Sequence, residues 1–220
     1  MEVKLNTCYN MDNMQFMANL PDKFADIAII DCPYGIGEAG SKNHSRGKLA
    51  KSKKYINYSG GDKTSPPQEF FDEVIRTSKN QIFFGANHYI SKIPYDSPSW
   101  IIWDKDNGNT DFADAELAYT SFKTAVRIFK YRWSGMLQEN MKEKEIRIHP
   151  NHKPIDLYRW ILMKYAKQGD IIMDTNTGSR SSTIACKLEG FNWIGCELSK
   201  HYFDTGEERH NLLTAQKKLF

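Results

Sequence analysis

The sequence predicts an α/β fold with a mostly parallel central sheet, an antiparallel hairpin and helices on both faces. Short apolar runs alternate with amphipathic helical patterns, the order expected of parallel strands joined by helices. The runs are almost continuously apolar, as is typical of strands that helices cover on both faces. We expect strands at residues 26–31, 81–86, 99–104, 170–174 and 192–197, and a further pair, which a hairpin would join, within 115–133.

Helical patterns occupy the segments between and after these strands. Their spacing predicts helices over residues 66–80, 153–169, 180–190 and 199–218. The second begins next to Pro154 and ends at Gly169, the asymmetry that helix ends usually show. Gly206 weakens the last helix, because glycine in a helix interior costs about 1 kcal/mol relative to alanine.

Length and composition fit a single domain. A chain of 220 residues can bury a substantial core, and no apolar run approaches the roughly 20 residues that a membrane-spanning helix needs. We therefore expect one domain over residues 1–220, with no sizeable separate recognition domain and no membrane partner. The cysteines are scattered and the N-terminus lacks a secretory signal pattern, which indicates free thiols in the cytoplasm.

Positive charge is concentrated in residues 38–62, which contain much Gly and Ser and few apolar residues. We expect this segment to be a mobile basic loop. Two interpretations stay open: a solvated surface loop, or an arm that neutralises the phosphates of a nucleic acid. In the second, the contacts come from Lys42, Arg46, Lys48, Lys51, Lys53 and Lys54.

Residues 169–203 outline a nucleotide-binding βαβ unit. One strand ends at Asp174, a glycine-bearing loop and a helix follow, and the next strand ends at Glu197. A carboxylate at that second position can bind the ribose hydroxyls of a nucleoside. The Gly-x-Gly-x-x-Gly series that brings pyrophosphate close to the backbone is absent, and Asp174 would repel phosphates. A cationic nucleoside without phosphates fits better, and S-adenosylmethionine is the common one.

The first long apolar run ends in the tetrapeptide Asp31-Cys32-Pro33-Tyr34. The exocyclic amine of a nucleic-acid base is a poor nucleophile, because its lone pair is delocalised into the ring. Asp31 can accept a hydrogen bond from such an amine and so orient its nitrogen, and the carbonyl of Cys32 or Pro33 can supply a second acceptor. Tyr34 can stack on a base that is flipped out of its helix.

This tetrapeptide is similar to the catalytic motif of the DNA amino-methyltransferases, Asp/Asn/Ser-Pro-Pro-Tyr/Phe/Trp, enzymes that modify N6 of adenine or N4 of cytosine. Blocks of that family are resembled, in the family's order, by residues 10–37, 82–89, 100–122 and 149–203. The most specific combination is the run HPNHKP before a helix, followed later by the pattern D…GS…S. A catalytic motif ahead of the cofactor loop is the order of the family's β group. The resemblance implies a Rossmann-like methyltransferase fold, S-adenosylmethionine as cofactor, double-stranded DNA with a flipped base as substrate and, as in many members, a homodimer.

The resemblance also implies roles by position. The target-amine site would comprise Asp31, Cys32, Pro33 and Tyr34, with Asp104 and Lys105 close by. The cofactor would be bound by His149, Lys153, Pro154, Asp174, Asn176, Gly178, Ser179 and Glu197. We expect no metal, because His149 and His152 are only two ligands. Aspartate at the first position of the tetrapeptide favours N6 of adenine over N4 of cytosine.

Two residues depart from the family pattern. Cys32 replaces the first proline of the tetrapeptide, while the carboxylate, the second proline and the aromatic ring remain. Arg180 stands where similar sequences commonly carry a second glycine, and a positive φ there would cost about 1–2 kcal/mol. We expect its side chain to point to solvent or to DNA phosphate. Three alternatives follow: an active adenine enzyme, a weakened or silent nucleic-acid-binding protein of the same fold, and a cytosine N4 or RNA methyltransferase.

Overall fold

The structure is a computed structural model that describes residues 2–37, 64–108, 113–134 and 137–215. Within these ranges the strands are β1 (Thr7–Tyr9), β2 (Ala25–Ile30), β3 (Ser78–Phe84), β4 (Trp100–Asp104), β5 (Ala115–Thr120), β6 (Arg127–Lys130), β7 (Trp133–Ser134), β8 (Leu137–Gln138), β9 (Ile171–Asp174) and β10 (Asn192–Cys196). The helices are α1 (Asn13–Ala18), α2 (Gln68–Thr77), α3 (Ile155–Tyr165), α4 (Ser181–Glu189) and α5 (Lys200–Ala215). Short 3₁₀ turns at Ala86–His88 and Ile90–Lys92 follow β3.

Eight of these strands form one sheet in the order β1-β10-β9-β2-β3-β5-β4-β6. Its neighbouring strands are parallel, except that β5 runs antiparallel to both β3 and β4. β4 and β5 therefore form a hairpin, and the predicted α/β architecture is confirmed. β7 and β8 pair separately as a two-stranded ribbon.

The predicted position of the hairpin is wrong. Within residues 115–133, β5 and β6 do not pair with each other, because β4 lies between them and pairs with both. After β5 the chain crosses to the far side of β4, where β6 runs parallel to it. Two strands that are consecutive in sequence are thus separated by one strand in the sheet.

Some element boundaries also differ from the predictions. The helix expected to reach residue 80 ends at Thr77, because the chain begins to pair with β2 at Ser78 and continues as β3. Strand β1 and helix α1 add to the predicted set, and Asp12 caps α1 by accepting hydrogen bonds from backbone N–H groups of its first turn. Residues 216–218 of the last predicted helix lie outside the described residues.

Alternate residues of β2 contribute to two hydrophobic cores, one on each face of the sheet. Ile27 and Ile29 belong to the core that contains side chains of α3 and α4, whereas Ala28 and Ile30 belong to the core that contains α1 and α2. The alternation follows from the two-residue repeat of a strand. Burial on both faces explains why the run is almost entirely apolar.

Three further sequence expectations concern the whole chain. All four cysteines are buried free thiols, as the sequence predicts. None of the described helices is long and apolar enough to cross a bilayer. The basic loop predicted at residues 38–62 lies outside the described residues, together with its six proposed nucleic-acid contacts, Lys42, Arg46, Lys48, Lys51, Lys53 and Lys54.

The buried face of α3 gives a direct test of this packing. Ile161 is fully buried, whereas Met163 on the same helix is 68% exposed. Replacing Ile161 with alanine leaves a cavity and should lower the free energy of unfolding by about 2–5 kcal/mol. Met163→Ala should change it by less than about 0.5 kcal/mol. Urea denaturation followed by circular dichroism measures both values, and equal losses for the two variants would contradict the packing.

Candidate active site

A single cleft lies beyond the carboxyl ends of β2 and β9. These strands pair in parallel, with Ile27 opposite Ile172, so the residues that follow each strand emerge at the same edge of the sheet. The cleft contains about 690 Å³ of space between the protein atoms, part of it open to solvent. It is lined by Asp31, Pro33, His149, Pro150, Asn151, Lys153, Tyr158, Asn176, Thr177, Gly178, Ser179, Ser181 and Glu197. The tetrapeptide and the β9–α4 loop (residues 175–180) therefore face one shared space.

Asp31 lies in a network of buried polar side chains at one end of the cleft. Lys153 Nζ donates a hydrogen bond to Asp31 Oδ1 at 2.7 Å, and the Tyr34 hydroxyl lies 2.8 Å from the same oxygen. The Tyr34 hydroxyl also lies 2.5 Å from Oε1 of Glu116. Because a hydroxyl carries one proton, Tyr34 can donate to only one of the two carboxylates at a time.

Glu116 extends from β5 and is the second carboxylate of this network. Its Oε1 lies 2.7 Å from Lys153 Nζ, and its Oε2 lies 3.0 Å from Lys105 Nζ. Two ammonium groups thus balance the charges of Asp31 and Glu116. An unpaired buried charge is strongly destabilising, so this balance allows the carboxylates to lie inside the protein.

The same contacts determine the titration of the network. Burial raises the pKa of Glu116, but the Lys153 and Lys105 ammonium groups outweigh it and bring this pKa to about 2. Burial raises the pKa of Asp31, against the opposing charge of Lys153. Burial lowers the pKa of Lys153, but the two carboxylates outweigh it, so the pKa is raised and the ammonium form is favoured.

The ring of Tyr34 is held in place by its neighbours. It stacks on the exposed ring of His88, with the ring centroids 5.4 Å apart and the planes 15° apart. Gly85 has φ of 68°, and a Cβ there would lie 2.3 Å from Cε1 of Tyr34. A side chain at position 85 would therefore displace the tyrosine ring, and the positive φ would strain any residue other than glycine. Glycine is required here for both reasons.

The other two residues of the tetrapeptide lie on opposite sides of the backbone. Pro33 lines the cleft. Cys32 is buried in the core on the α1 and α2 face, where burial raises the pKa of its thiol to about 12. Cys32 is therefore held as a neutral thiol away from the cleft. It stands where the family tetrapeptide has its first proline, and its side chain packs into this core.

The opposite end of the cleft is formed by the β9–α4 loop and Glu197. The carboxylate of Glu197 accepts hydrogen bonds from the backbone N–H of Gly178 and of Ser199, both at 2.9 Å. Burial raises the pKa of Glu197. Asn176, Gly178 and Ser179 line the cleft.

Asp174 lies behind this loop and does not line the cleft. Its Oδ1 accepts a hydrogen bond from the backbone N–H of Asn176 at 2.9 Å, and its Oδ2 accepts one from the Ser182 hydroxyl at 2.5 Å. Burial raises the pKa of Asp174 to about 7. The carboxyl group expected beside the cofactor therefore shapes the loop from inside the fold, and buried Pro154 likewise precedes α3 without lining the cleft.

Of the polar residues in the HPNHKP run, His149, Asn151 and Lys153 line the cleft, whereas His152 does not. The His149 ring packs edge to face on Tyr202 with centroids 4.4 Å apart, and burial lowers the His149 pKa to about 3. His152 Nε2 instead lies near Ser181 and Glu145. Within the described part of the chain, no three His, Cys, Asp or Glu side chains are grouped so that they could hold a metal ion.

Three side chains have positions that differ from the sequence expectations. Lys153, expected beside the cofactor, reaches Asp31 and the target end of the cleft. Arg180 is fully buried beneath α5, so the expectation that it points to solvent or to DNA is wrong. Asp104 is partly buried and accepts a hydrogen bond from the backbone N–H of Asp106 without lining the cleft.

The sequence reasoning missed two residues that the structure assigns to the site. Glu116 is the one acid within the otherwise apolar and hydroxyl-bearing strand AELAYT, a signal that could have indicated a buried ionic contact. Arg209 donates a hydrogen bond from Nη1 to the carbonyl oxygen of Ser179 at 2.6 Å. Its position in an ordinary charged helix gives no such signal.

Comparison with known proteins finds similarity to DNA methyltransferases. Residues 118–208 match the family model described as DNA methylase, of the N6 and N4 type. The chain is 26% identical to the Type II methyltransferase M.HpaI of Haemophilus parainfluenzae, over 88% of this chain and 70% of that protein. It is 21% identical to M.HinfI of Haemophilus influenzae, over 93% of this chain and 68% of that protein. The chain is therefore similar to DNA methyltransferases over most of its length.

Two solved structures share the fold of this chain. The M1.HpyAVI complex with S-adenosylmethionine aligns with a TM-score of 0.57 and 21% identity over 93% of this chain and 98% of that one. The cytosine-N4-specific PvuII methyltransferase aligns with a TM-score of 0.59 and 13% identity, over 95% and 90% of the two chains. These alignments confirm the Rossmann-like methyltransferase fold.

The buried carboxyl group of Asp174 should make the stability of this protein depend on pH. Its pKa of about 7 lies above the unfolded value of about 4, so the protonated form is favoured in the folded state. The stability that this proton gives is complete below about pH 4 and is lost as the pH rises through about 7. Relative to Asp174→Asn, the native chain should lose about 1 kcal/mol of unfolding free energy per pH unit from pH 5 to 7. Urea titrations at several pH values measure this difference, and parallel profiles for the two proteins would contradict it.

Proposed function

We propose that this protein transfers the methyl group of S-adenosylmethionine to N6 of adenine in double-stranded DNA. The observation that carries the proposal is the shared cleft, in which Asp31 and Pro33 face the loop residues Asn176 and Gly178. A donor bound on that loop and an amine bound at Asp31 would occupy one space. Similarity to DNA methyltransferases supports the reaction class.

The residues at the loop end of the cleft fit S-adenosylmethionine. Glu197 offers a carboxylate to ribose hydroxyls, and the backbone of Gly178 is open towards the cleft, where the nearest side-chain atoms to an added Cβ would be those of His149 at 3.5 Å. The one cation of the loop, Arg180, is turned into the protein, so the loop offers no positive charge to a phosphate. When bound, this cofactor supplies a methyl group activated by a sulfonium charge.

The residues at the other end fit an exocyclic amine. In the proposed complex, Asp31 accepts a hydrogen bond from the amine and directs the nitrogen lone pair at the methyl group, a contribution of geometry and charge rather than of covalent catalysis. Lys153 already donates to Asp31, and the Tyr34 hydroxyl lies within hydrogen-bond distance of the same oxygen, so the carboxylate is kept oriented. The ring of Tyr34 provides an aromatic surface for the base. An amine inside a duplex is out of reach of such a site, so the base must flip out of the stack.

Adenine is proposed over cytosine because the tetrapeptide begins with aspartate. Cytosine N4 is the second candidate, since the PvuII methyltransferase, which is cytosine-N4-specific, has a similar fold. The alternative of a protein with this fold but without methyltransferase activity is disfavoured. Arg180, the residue that suggested it, does not line the cleft. Contacts of the basic loop with DNA and assembly into a homodimer stay predictions from the sequence.

The proposed activity can be tested with purified protein, unmethylated bacterial DNA and S-adenosylmethionine that carries an isotope-labelled methyl group. After enzymatic digestion, mass spectrometry of the nucleosides should detect label in N6-methyladenine. Label in N4-methylcytosine alone would support the second candidate. Absence of label from all nucleosides, although the cofactor binds, would contradict an active DNA methyltransferase.

Asp31 provides the sharpest test of the target end. Asp31→Asn keeps the size of the side chain but removes the charge and one acceptor oxygen, so we expect kcat to fall by about 100-fold or more. The dissociation constant for S-adenosylmethionine, measured by calorimetry, should stay within about twofold, because the loop end is unchanged. Asp22→Asn, at an exposed carboxylate outside the cleft, is the control and should leave both quantities unchanged. Methyl transfer by Asp31→Asn at the native rate would contradict the role of Asp31.

Glu116 tests whether the second carboxylate matters for the chemistry. In Glu116→Gln the charge that shares Lys153 is lost, so Lys153 should bind Asp31 more tightly and make it a weaker acceptor for the amine. We expect kcat to fall by about tenfold, an effect of about 1.4 kcal/mol on the barrier, with cofactor affinity unchanged. Single-turnover assays isolate this step, and a native rate would show that Glu116 serves folding alone.

A further inference from the structure

Arg180 occupies a backbone position that is unfavourable for its residue type. It precedes α4 with φ of 65° and ψ of 17°, in the left-handed region that non-glycine residues rarely adopt. Its positive charge also lies at the N-terminal end of the helix, where the helix dipole favours negative groups. The rest of the fold must compensate for both features, and the compensating residues lie on α5.

The side chain of Arg180 passes across α5 at Gly206. A Cβ atom at position 206 would lie 2.7 Å from Cγ of Arg180 and 2.9 Å from the carbonyl oxygen of Gly178. Both distances are shorter than any ordinary carbon contact, so no other residue fits there without a shift. Gly206, which weakens the helix by itself, therefore leaves the space that the arginine side chain and the loop backbone occupy.

The guanidinium group ends among residues of α5 and β10. Its Nη2 pairs with the carboxylate of Glu207, and its Cζ lies 5.4 Å from the ring centroid of Phe203 and 5.9 Å from that of Trp193. Within the described residues, Nε and Nη1 of Arg180 have no hydrogen-bond partner. Burial of this charge is thus only partly compensated, so its removal can leave the overall stability almost unchanged.

Helix α5 also contacts the loop through Arg209. Its Nη1 donates to the carbonyl oxygen of Ser179 at 2.6 Å and to the Ser181 hydroxyl at 3.2 Å, and its Nη2 pairs with Glu145. The loop is therefore joined to α5 at Ser179 and at Arg180. One contact is made by an arginine of the loop and the other by an arginine of the helix.

We propose that Arg180 is a positioning residue for cofactor binding, and that Gly206 and Glu207 are the parts of α5 through which it acts. Arg180 does not line the cleft, but it follows directly on Gly178 and Ser179, which do. Its anchored side chain fixes the course of their backbone. The inference rests on the proposed function, because it assumes that the loop binds S-adenosylmethionine.

Calorimetric titration of S-adenosylmethionine into four proteins tests the inference: the native chain, Arg180→Gly, Gly206→Ala and the double variant. Each single substitution should raise the dissociation constant about tenfold or more, the first by freeing the loop and the second by displacing it. In the double variant, the dissociation constant should rise by less than the product of the two single increases, because alanine at 206 no longer meets the arginine side chain. Arg180→Lys, which keeps the long stem and the charge, should retain most of the affinity.

A matched control separates positioning from a general loss of stability. Val74→Ala creates a cavity on the other face of the sheet, in the core with α1 and α2, and should lower the unfolding free energy without changing cofactor affinity. Amide hydrogen exchange of peptides covering residues 175–180 should be faster in Arg180→Gly and native-like in Val74→Ala.

Several outcomes would overturn the inference. They are native or tighter binding by Arg180→Gly, strictly multiplicative effects in the double variant, or an equal loss of affinity in Val74→Ala. If the native chain does not bind S-adenosylmethionine at all, the proposed function fails. The exchange measurement then still decides whether Arg180 holds the loop, and unchanged exchange in Arg180→Gly would refute that.

Discussion

The parallel pairing of β2 with β9 is the constraint on which the site depends. Parallel neighbours end at the same edge of a sheet, so the residues after Ile30 and after Asp174 must emerge side by side. One strand delivers a carboxylate that can bind an amine, and the other delivers a loop that can bind a nucleoside. No hinge or domain closure is needed to bring the two together.

The site also depends on a balance of buried charge. Two carboxylates, Asp31 and Glu116, share the ammonium group of Lys153, and Lys105 supplies the second positive charge. These residues come from four separate segments, so the network forms only when the sheet and the segment before α3 have packed together. The position of the Asp31 carboxylate thereby depends on the integrity of the whole fold.

The sequence was sufficient for features that depend on local pattern. Asp31 and Glu197 could be predicted as site residues because each follows an apolar run that can only be a buried strand. The predicted position of the hairpin was wrong because β4 pairs with both β5 and β6, and such long-range pairing cannot be inferred from a local sequence pattern. Glu116 and the inward course of Arg180 were missed for the same reason, since their partners Lys153 and Gly206 are distant in sequence.

The central claim is that one cleft holds the methyl donor and the target amine. A crystal structure of the protein with S-adenosylmethionine tests it most directly. The account predicts that the ribose hydroxyls contact Glu197 and that the methyl group points across the cleft towards Asp31. A cofactor bound outside this cleft, or bound within it with the methyl group directed away from Asp31, would contradict the account.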